Sequence, residues 1–340
     1  MSRLLEERGE ERRPVVDIEP RWLVDALMLL QYEFPLEPDP YRVVAERVGV
    51  SEEQLLEGLR RLNREGLLKR VGFYLNYRSE RKKAALIALR TDKPREATEY
   101  LARRLVVTHS YLRSHPVYNL WVVGKHQDPE EIVEAAKSAA EIYGDGRWIV
   151  LWGVKTHRLS VKYDLYEGVS RAGPYGRVEA NPPTPEDLGY SMQLARSLRV
   201  LPLEPEPYAV IARRLGLPAG KVYEAAVEMF KHGVLADPGA ALDGHRLGFK
   251  YNAMFTLAPK DMGMLKELCK WVVDNVPEAT HVVERSVTPE GAWRHLCYFM
   301  FHAVSEDKAS IARRRLASCP LLDDVLVIPS IADMLPGVIR

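Results

Sequence analysis

The chain says nearly the same thing twice, and this restricts its fold more than any other feature. Residues 34–50 read FPLEPDPYRVVAERVGV and residues 201–217 read LPLEPEPYAVIARRLGL; at an offset of 167, ten of the seventeen positions are identical. Gly66 then maps onto Gly233, and Thr108-His109 with Arg113 maps onto Thr280-His281 with Arg285 at an offset of 172. Solenoid repeats run about 20–50 residues, so a period this long marks a duplicated domain. The chain is expected to be two fused copies of one subunit. The repeated His and Arg are the first candidates for function.

Local patterns give each copy two parts. Residues 1–20 are charged and read as a flexible or loosely docked arm. Leu23, Ala26, Leu27 and Leu30 recur at helical spacing and predict a helix over 22–32. The prolines of PLEPDPY forbid its continuation. A second helix is expected over 40–48, ended by Gly49, and a third is capped by Ser51 and closed by Gly66. LLKRVGFYLN reads as a two-stranded wing, so 21–78 is a winged helix-turn-helix. Strand 84–90, helix 94–104, strands 106–113 and 117–124, helix 128–144 and strand 147–157 follow. That βαββαβ order predicts a ferredoxin-like domain over 79–167. The polar, Gly/Pro-rich stretch 168–187 is read as a linker. A second winged helix-turn-helix over 188–244 and a second ferredoxin-like domain over 245–340 complete an α+β tandem duplication.

Bulk properties exclude several classes. The 48 basic and 47 acidic residues give no general electrostatic attraction to nucleic acid. Cys269, Cys297 and Cys319 form no CxxC pair, so neither a zinc site nor a disulfide framework is expected. No apolar run approaches the ~18 residues that span a bilayer, and the charged N-terminal stretch is no signal peptide. The expectation is a soluble, cytoplasmic protein without membrane partners. DNA is also an unfavoured partner. A reader helix needs outward Arg, Lys, Asn or Gln, but the first recognition helix opens on two acids, and the second carries Glu224 and Glu228 around an apolar centre.

The chemistry concentrates in the two central hairpins, which hold or adjoin six of the nine histidines. Alternate residues of a strand share a face. His109, Tyr111 and Arg113 therefore project together, as do His281, Val283 and Arg285. The same rule puts Arg294, Leu296, Tyr298, Met300 and His302 on one face of the next strand, with His295 and Cys297 on the other. Trp121 and Met300 read as packing residues that would also suit a flat apolar ligand. There is no GxGxxG, GxxxxGK[ST], HExxH or GxSxG.

A winged helix followed by a ferredoxin-like domain is the layout of the Lrp/AsnC family. The strings THSYLRSHPVYNLWVVGKH and ATHVVERSVTPEGAWRHLCYFMFH resemble, within that layout, the siroheme decarboxylases, with the two related subunits joined in one chain. The resemblance spans roughly residues 20–335. Three positions depart from it: Arg294-His295 stands where a Tyr-Asn pair is usual, and Val283 where an aromatic is usual. The resemblance implies loss of CO2 from two acetate arms of siroheme, with 12,18-didecarboxysiroheme as product, in heme or heme d1 biosynthesis.

It further implies that His109 and His281 supply acid catalysis or axial ligation to the substrate's iron, and that Tyr111 belongs to the same set. Arg113 and Arg285 would hold carboxylates, with Lys69 and Arg70 of the wing contributing. Trp121, His115, Asn119, Arg294, His295, Met300 and His302 would line the substrate. No cofactor is needed beyond the substrate's own iron-bearing ring. The other class of function is an Lrp/AsnC-like DNA-binding regulator responding to a small ligand. The fused chain is expected to be an intramolecular pseudo-dimer, alone or paired with a second chain.

Overall fold

The computed structural model describes residues 13–335. Along the first half run α1 (Arg21–Tyr32), α2 (Pro40–Val48), α3 (Glu52–Arg64), β1 (Leu68–Leu75), β2 (Lys83–Thr91), α4 (Pro94–Arg104), β3 (Val106–Arg113), β4 (Leu120–His126), α5 (Pro129–Tyr143) and β5 (Gly144–Leu159). Two short strands, β6 (Lys162–Asp164) and β7 (Val169–Arg171), lead into the second half. There follow α6 (Met192–Ser197), α7 (Pro207–Leu215), α8 (Lys221–Lys231), β8 (Leu235–Leu242), β9 (Tyr251–Pro259), α9 (Leu265–Asn275), β10 (His281–Thr288), β11 (Cys297–Ala303), α10 (Ala309–Leu316) and β12 (Leu322–Asp333). The boundaries have local causes. A proline opens α2, α4, α5 and α7, where its missing N–H costs nothing. Ser51 and Gln54 form a reciprocal capping box on α3, and Gly49 ends α2 in the left-handed conformation at φ 75°.

The chain packs as two compact units, sorted by kind of domain and not by copy. Among the described residues, one contains those from 13 to 79 with Leu159–Lys250 and His302–Ser305; the other contains Glu80–Arg158, Tyr251–Phe301 and those from 306 to 335. The first unit buries the apolar faces of both helix-turn-helix segments in one core that includes Leu27, Leu59, Phe73, Ile211 and Met229. Its wings differ from expectation. Each is a single strand, and β1 pairs antiparallel with β8, with Leu68 opposite Leu242 and Leu75 opposite Leu235. LLKRVGFYLN therefore does not fold back on itself. Its central Gly72 makes no turn; it admits the Arg199 carbonyl, which would lie 2.4 Å from any Cβ there.

Residues 13–20 are also not loose. Val16 and Ile18 are buried in this core, and the Val15 N–H donates to Leu165 O at 2.8 Å. Residues 1–12 of the expected arm lie outside the described residues. The stretch read as a linker contributes β7, and the Asn76 side chain holds its Glu179 carbonyl at 2.9 Å.

The second unit contains the sheets. The first-half strands lie in the order β5-β2-β4-β3 and the second-half strands in the matching order β12-β9-β11-β10. β3 pairs with β12, and β10 pairs with β5. Among the described residues these eight strands close into a ring, since neighbours pair throughout and each end strand meets the other sheet. Alternation assigns the two faces. Ala85, Ile87 and Leu89 of β2 pack outward with Ala135, Ala136, Ala139 and Ala140 of α5. Leu86 and Ala88 turn inward with Trp121, Leu151, Met254, Tyr298 and Ile328. No helix among the described residues is long and apolar enough to cross a membrane.

Candidate functional site

The repeated strands bring their His and Arg to the inside of this ring. Residues directly opposite in an antiparallel pair share a face. Tyr111 lies opposite Trp121 and His109 opposite Val123, and both partners belong to the interior cluster. Val283 lies opposite Tyr298, also interior. His109, Tyr111 and Arg113 thus face inward on β3, and His281, Val283 and Arg285 do so on β10. Both histidines are half-buried. The His109 Nδ1 is 3.0 Å from Thr108 Oγ1, and its ring lies 6.4 Å from Tyr111.

The two arginines are used alike. Arg113 Nη1 donates to Ile328 O on β12 at 3.1 Å, and Arg285 Nη1 donates to Leu151 O on β5 at 3.0 Å. Each crosses one junction between the two half-sheets. Arg113 is only 4% exposed, and its Nε has no hydrogen-bond partner. Burial pulls its pKa down to about 10, so it is still a cation at neutral pH. An anion that reached it would gain a charge-assisted hydrogen bond in a weakly screened setting.

The turns after β3 and β10 meet. Arg113 N–H donates to Asn119 O, whereas Arg285 N–H donates to Leu296 O, so the second turn is longer by five residues. Those residues carry Trp293, whose ring lies 5.5 Å from His115, 6.0 Å from Tyr118, 6.1 Å from Trp121 and 5.4 Å from His295. His115 stacks on Tyr118 at an interplanar angle of 8°. Its Nδ1 accepts the Val117 and Tyr118 N–H groups at 3.2 and 3.0 Å, which leaves Nε2 to carry the proton. Burial, and then the nearby His295, lower the His115 pKa. His295 is 2.9 Å from the Asp324 carboxylate, and that hydrogen bond holds the Asp324 carboxyl below its ordinary value.

Several expected ligand contacts have other employment. The Asn119 amide is committed to backbone, donating to Thr91 O at 2.8 Å and accepting from Thr91 N at 3.0 Å. Trp121 is 1% exposed and packs in the core, its Nε1 on Tyr118 O. Arg294 precedes β11 and forms an exposed ion pair with Asp323. Met300 does join the interior cluster, along with Leu296 and Tyr298. His302 belongs instead to the first unit, its ring 5.8 Å from Tyr163. Arg70 and Lys69 are engaged within that unit too, on the Arg199 carbonyl and the Asp243 carboxylate. Strand alternation could not foresee these uses, because each partner lies on a different element.

Two side-chain groupings had no sequence signal. Trp293 reaches first-half rings more than 170 positions away. His157 Nε2 and Glu284 Oε2 lie 2.9 Å apart across the β5–β10 junction, nearly buried. Among the described residues no group of three or more His, Cys, Asp and Glu is placed to hold a metal ion.

The comparisons with known proteins agree with this architecture. Residues 25–68 match a family described as the siroheme decarboxylase NirDL-like HTH domain, and residues 246–334 match the AsnC-like ligand binding domain. The siroheme decarboxylase of Hydrogenobacter thermophilus is 23% identical over 289 residues, covering 84% of either chain. The siroheme decarboxylase alpha subunit of Oleidesulfovibrio alaskensis is 32% identical over 120 residues, covering 35% of this chain and 73% of its own. The crystal structure of the siroheme decarboxylase NirDL in co-complex with an iron-uroporphyrin III analogue shares the fold, with a TM-score of 0.60 and 20% identity over 92% of each chain. On the strength of these matches, the chain belongs to the siroheme decarboxylase family.

Proposed function

We propose that the protein is a siroheme decarboxylase, which removes CO2 from two acetate arms of siroheme and yields 12,18-didecarboxysiroheme for heme or heme d1 synthesis. The supporting observation is the repeated interior set: an imidazole and a guanidinium on one strand face, supplied once by each half of the chain. The reaction at each arm is R–CH2–CO2⁻ + H⁺ → R–CH3 + CO2. The bond between the methylene and the carboxylate breaks, and its electron pair is delocalised into the macrocycle. The methylene carbon then takes a proton.

The protein's part is to hold and to protonate. Arg113 and Arg285 keep the departing group ionised and fixed until it leaves. His109 and His281 deliver the proton or bind the substrate's iron, and imidazole suits either role. The iron is part of the substrate, and no separate cofactor is proposed.

We read the chain as a tandem fusion of two winged helix-turn-helix plus ferredoxin-like subunits, paired within one molecule. A DNA-binding role is less well supported: α8 exposes Glu224, Val227 and Glu228, and both wings are taken up in pairing with each other. The test is anaerobic incubation with siroheme followed by mass analysis of the tetrapyrrole. Loss of two CO2 units is expected. A bound but unchanged tetrapyrrole would replace the enzyme with a carrier.

A further inference from the structure

Val283 breaks the likeness between the halves, because the first half has Tyr111 at the matching place on β3. The tertiary structure restores what the strand lost. In the first half Tyr111 faces Trp121 across the β3–β4 pair. In the second half Val283 faces Tyr298 across the β10–β11 pair. The phenol is kept at the same level of the ring but moved to the neighbouring strand. The arginines follow it: the Arg113 guanidinium lies 5.0 Å over the Tyr111 ring, and the Arg285 guanidinium lies 5.1 Å over the Tyr298 ring. Both arginines also donate Nη1 to the carbonyl of the opposing half-sheet.

Tyr298 is 2% exposed. Its hydroxyl is buried beside the Trp293 indole, and that indole is already committed to His295 O at 2.8 Å. A cation over an aromatic face is held electrostatically. Moving the phenol between paired strands therefore conserves the interaction that sets the guanidinium.

We propose that Tyr298 is the second half's counterpart of Tyr111, a positioning residue for Arg285, so that each half carries a complete His–Tyr–Arg set and each set serves one of the two acetate arms. This rests on the siroheme decarboxylase reading above. Each set then handles one balanced event, in which one carbon–carboxylate bond breaks, one CO2 leaves and one proton is taken up. No oxidant or reductant enters.

The experiment is anaerobic turnover of siroheme, with CO2 losses counted by mass and the retained acetate arm located by NMR of the isolated product, for wild type, Tyr298→Phe, Tyr298→Leu, Tyr111→Leu and the exchange Val283→Tyr with Tyr298→Trp. Tyr298→Leu removes the ring under Arg285 and should let a product that has lost a single CO2 accumulate, with the second loss slowed at least tenfold. Tyr111→Leu should stall at one loss as well, and the arm retained should be the other one. Tyr298→Phe keeps the ring and should fall between wild type and Leu. The exchange rebuilds the first half's arrangement on β10 and β11 and should recover double decarboxylation, which separates positioning from mere packing. Wild-type rates for both losses in folded Tyr298→Leu would overturn the proposal, as would stalling at the same arm in both Leu variants. A wild-type chain that releases no CO2 would instead overturn the decarboxylase reading itself.

Discussion

The two central turns start from equivalent places and end differently. After β3 the chain closes tightly through His115, and Asn119 clasps the backbone of Thr91. After β10 it runs five residues further and lays Trp293 against His115 and Tyr118 of the other turn and against Trp121 of β4. His115 is held by backbone N–H groups, whereas His295 is held by the Asp324 carboxylate. The strands of the two halves match, and their register and alternation cannot shift without turning the core outward. The turns differ, and they meet each other. A turn is conserved only as far as its own hydrogen bonds demand, whereas a strand answers to two neighbours and two faces.

This comparison can be broken at several points. The largest effect is expected at the conserved level. His109→Ala and His281→Ala should each lower siroheme turnover by about 10²–10⁴-fold, the usual worth of a positioned acid. Steady-state assays of the two variants would show unequal halves if only one responds. Next comes Trp121→Ala, which empties a fully buried site and should destabilise by about 3–5 kcal/mol in chemical denaturation. Trp293→Ala removes ring contacts at a half-buried turn and should cost only about 1–3 kcal/mol. Equal losses for the two tryptophans would mean that the long turn is as much core as the strand.

Acid should separate the turns by pH window. The folded His115 resists protonation, so the unfolded chain binds more protons once pH falls below about 6.5, and stability should decline there. His115→Gln should flatten that decline in denaturation curves between about pH 7 and 5.5. Asp324 has the same sign in a lower window: its carboxyl is depressed in the fold, so its contribution is present above about pH 3.9 and is lost as pH falls through its folded value. Asp324→Asn should therefore reshape only the more acidic limb. The smallest effect belongs to Arg294→Ala. Its ion pair with Asp323 is solvent-exposed, with 57% and 46% of the side chains accessible, and thermal melts should move by no more than about 1 kcal/mol.

Much of the fold was legible locally because its causes are local. Pro94 and Asp128 mark helix starts, Gly49 a helix end, and Ser51 with Gln54 a capping box, and each acts within one turn of its own position. The alternation of β3 correctly set His109, Tyr111 and Arg113 on one face. Alternation failed where regular strand had not begun or where another element claimed the side chain. Arg294 lies ahead of β11 and faces Asp323; Asn119 precedes β4 and binds Thr91. The wing failed for a related reason. Nothing in LLKRVGFYLN says that its hydrogen-bonding partner is the other wing rather than itself.

The sequence alone therefore determined that the same strings recur in both halves, what most elements of each half are, and which side chains of β3 share a face, because periodicity, caps and repeats are short-range physics. Only the tertiary structure decided that the two half-sheets close into a ring, that Arg113 and Arg285 reach across its junctions, and that Tyr298 lies where Val283 left no phenol. Those outcomes depend on which strands become neighbours. Strand neighbourhood is settled by the joint burial of faces from distant parts of the chain, and no local pattern encodes it.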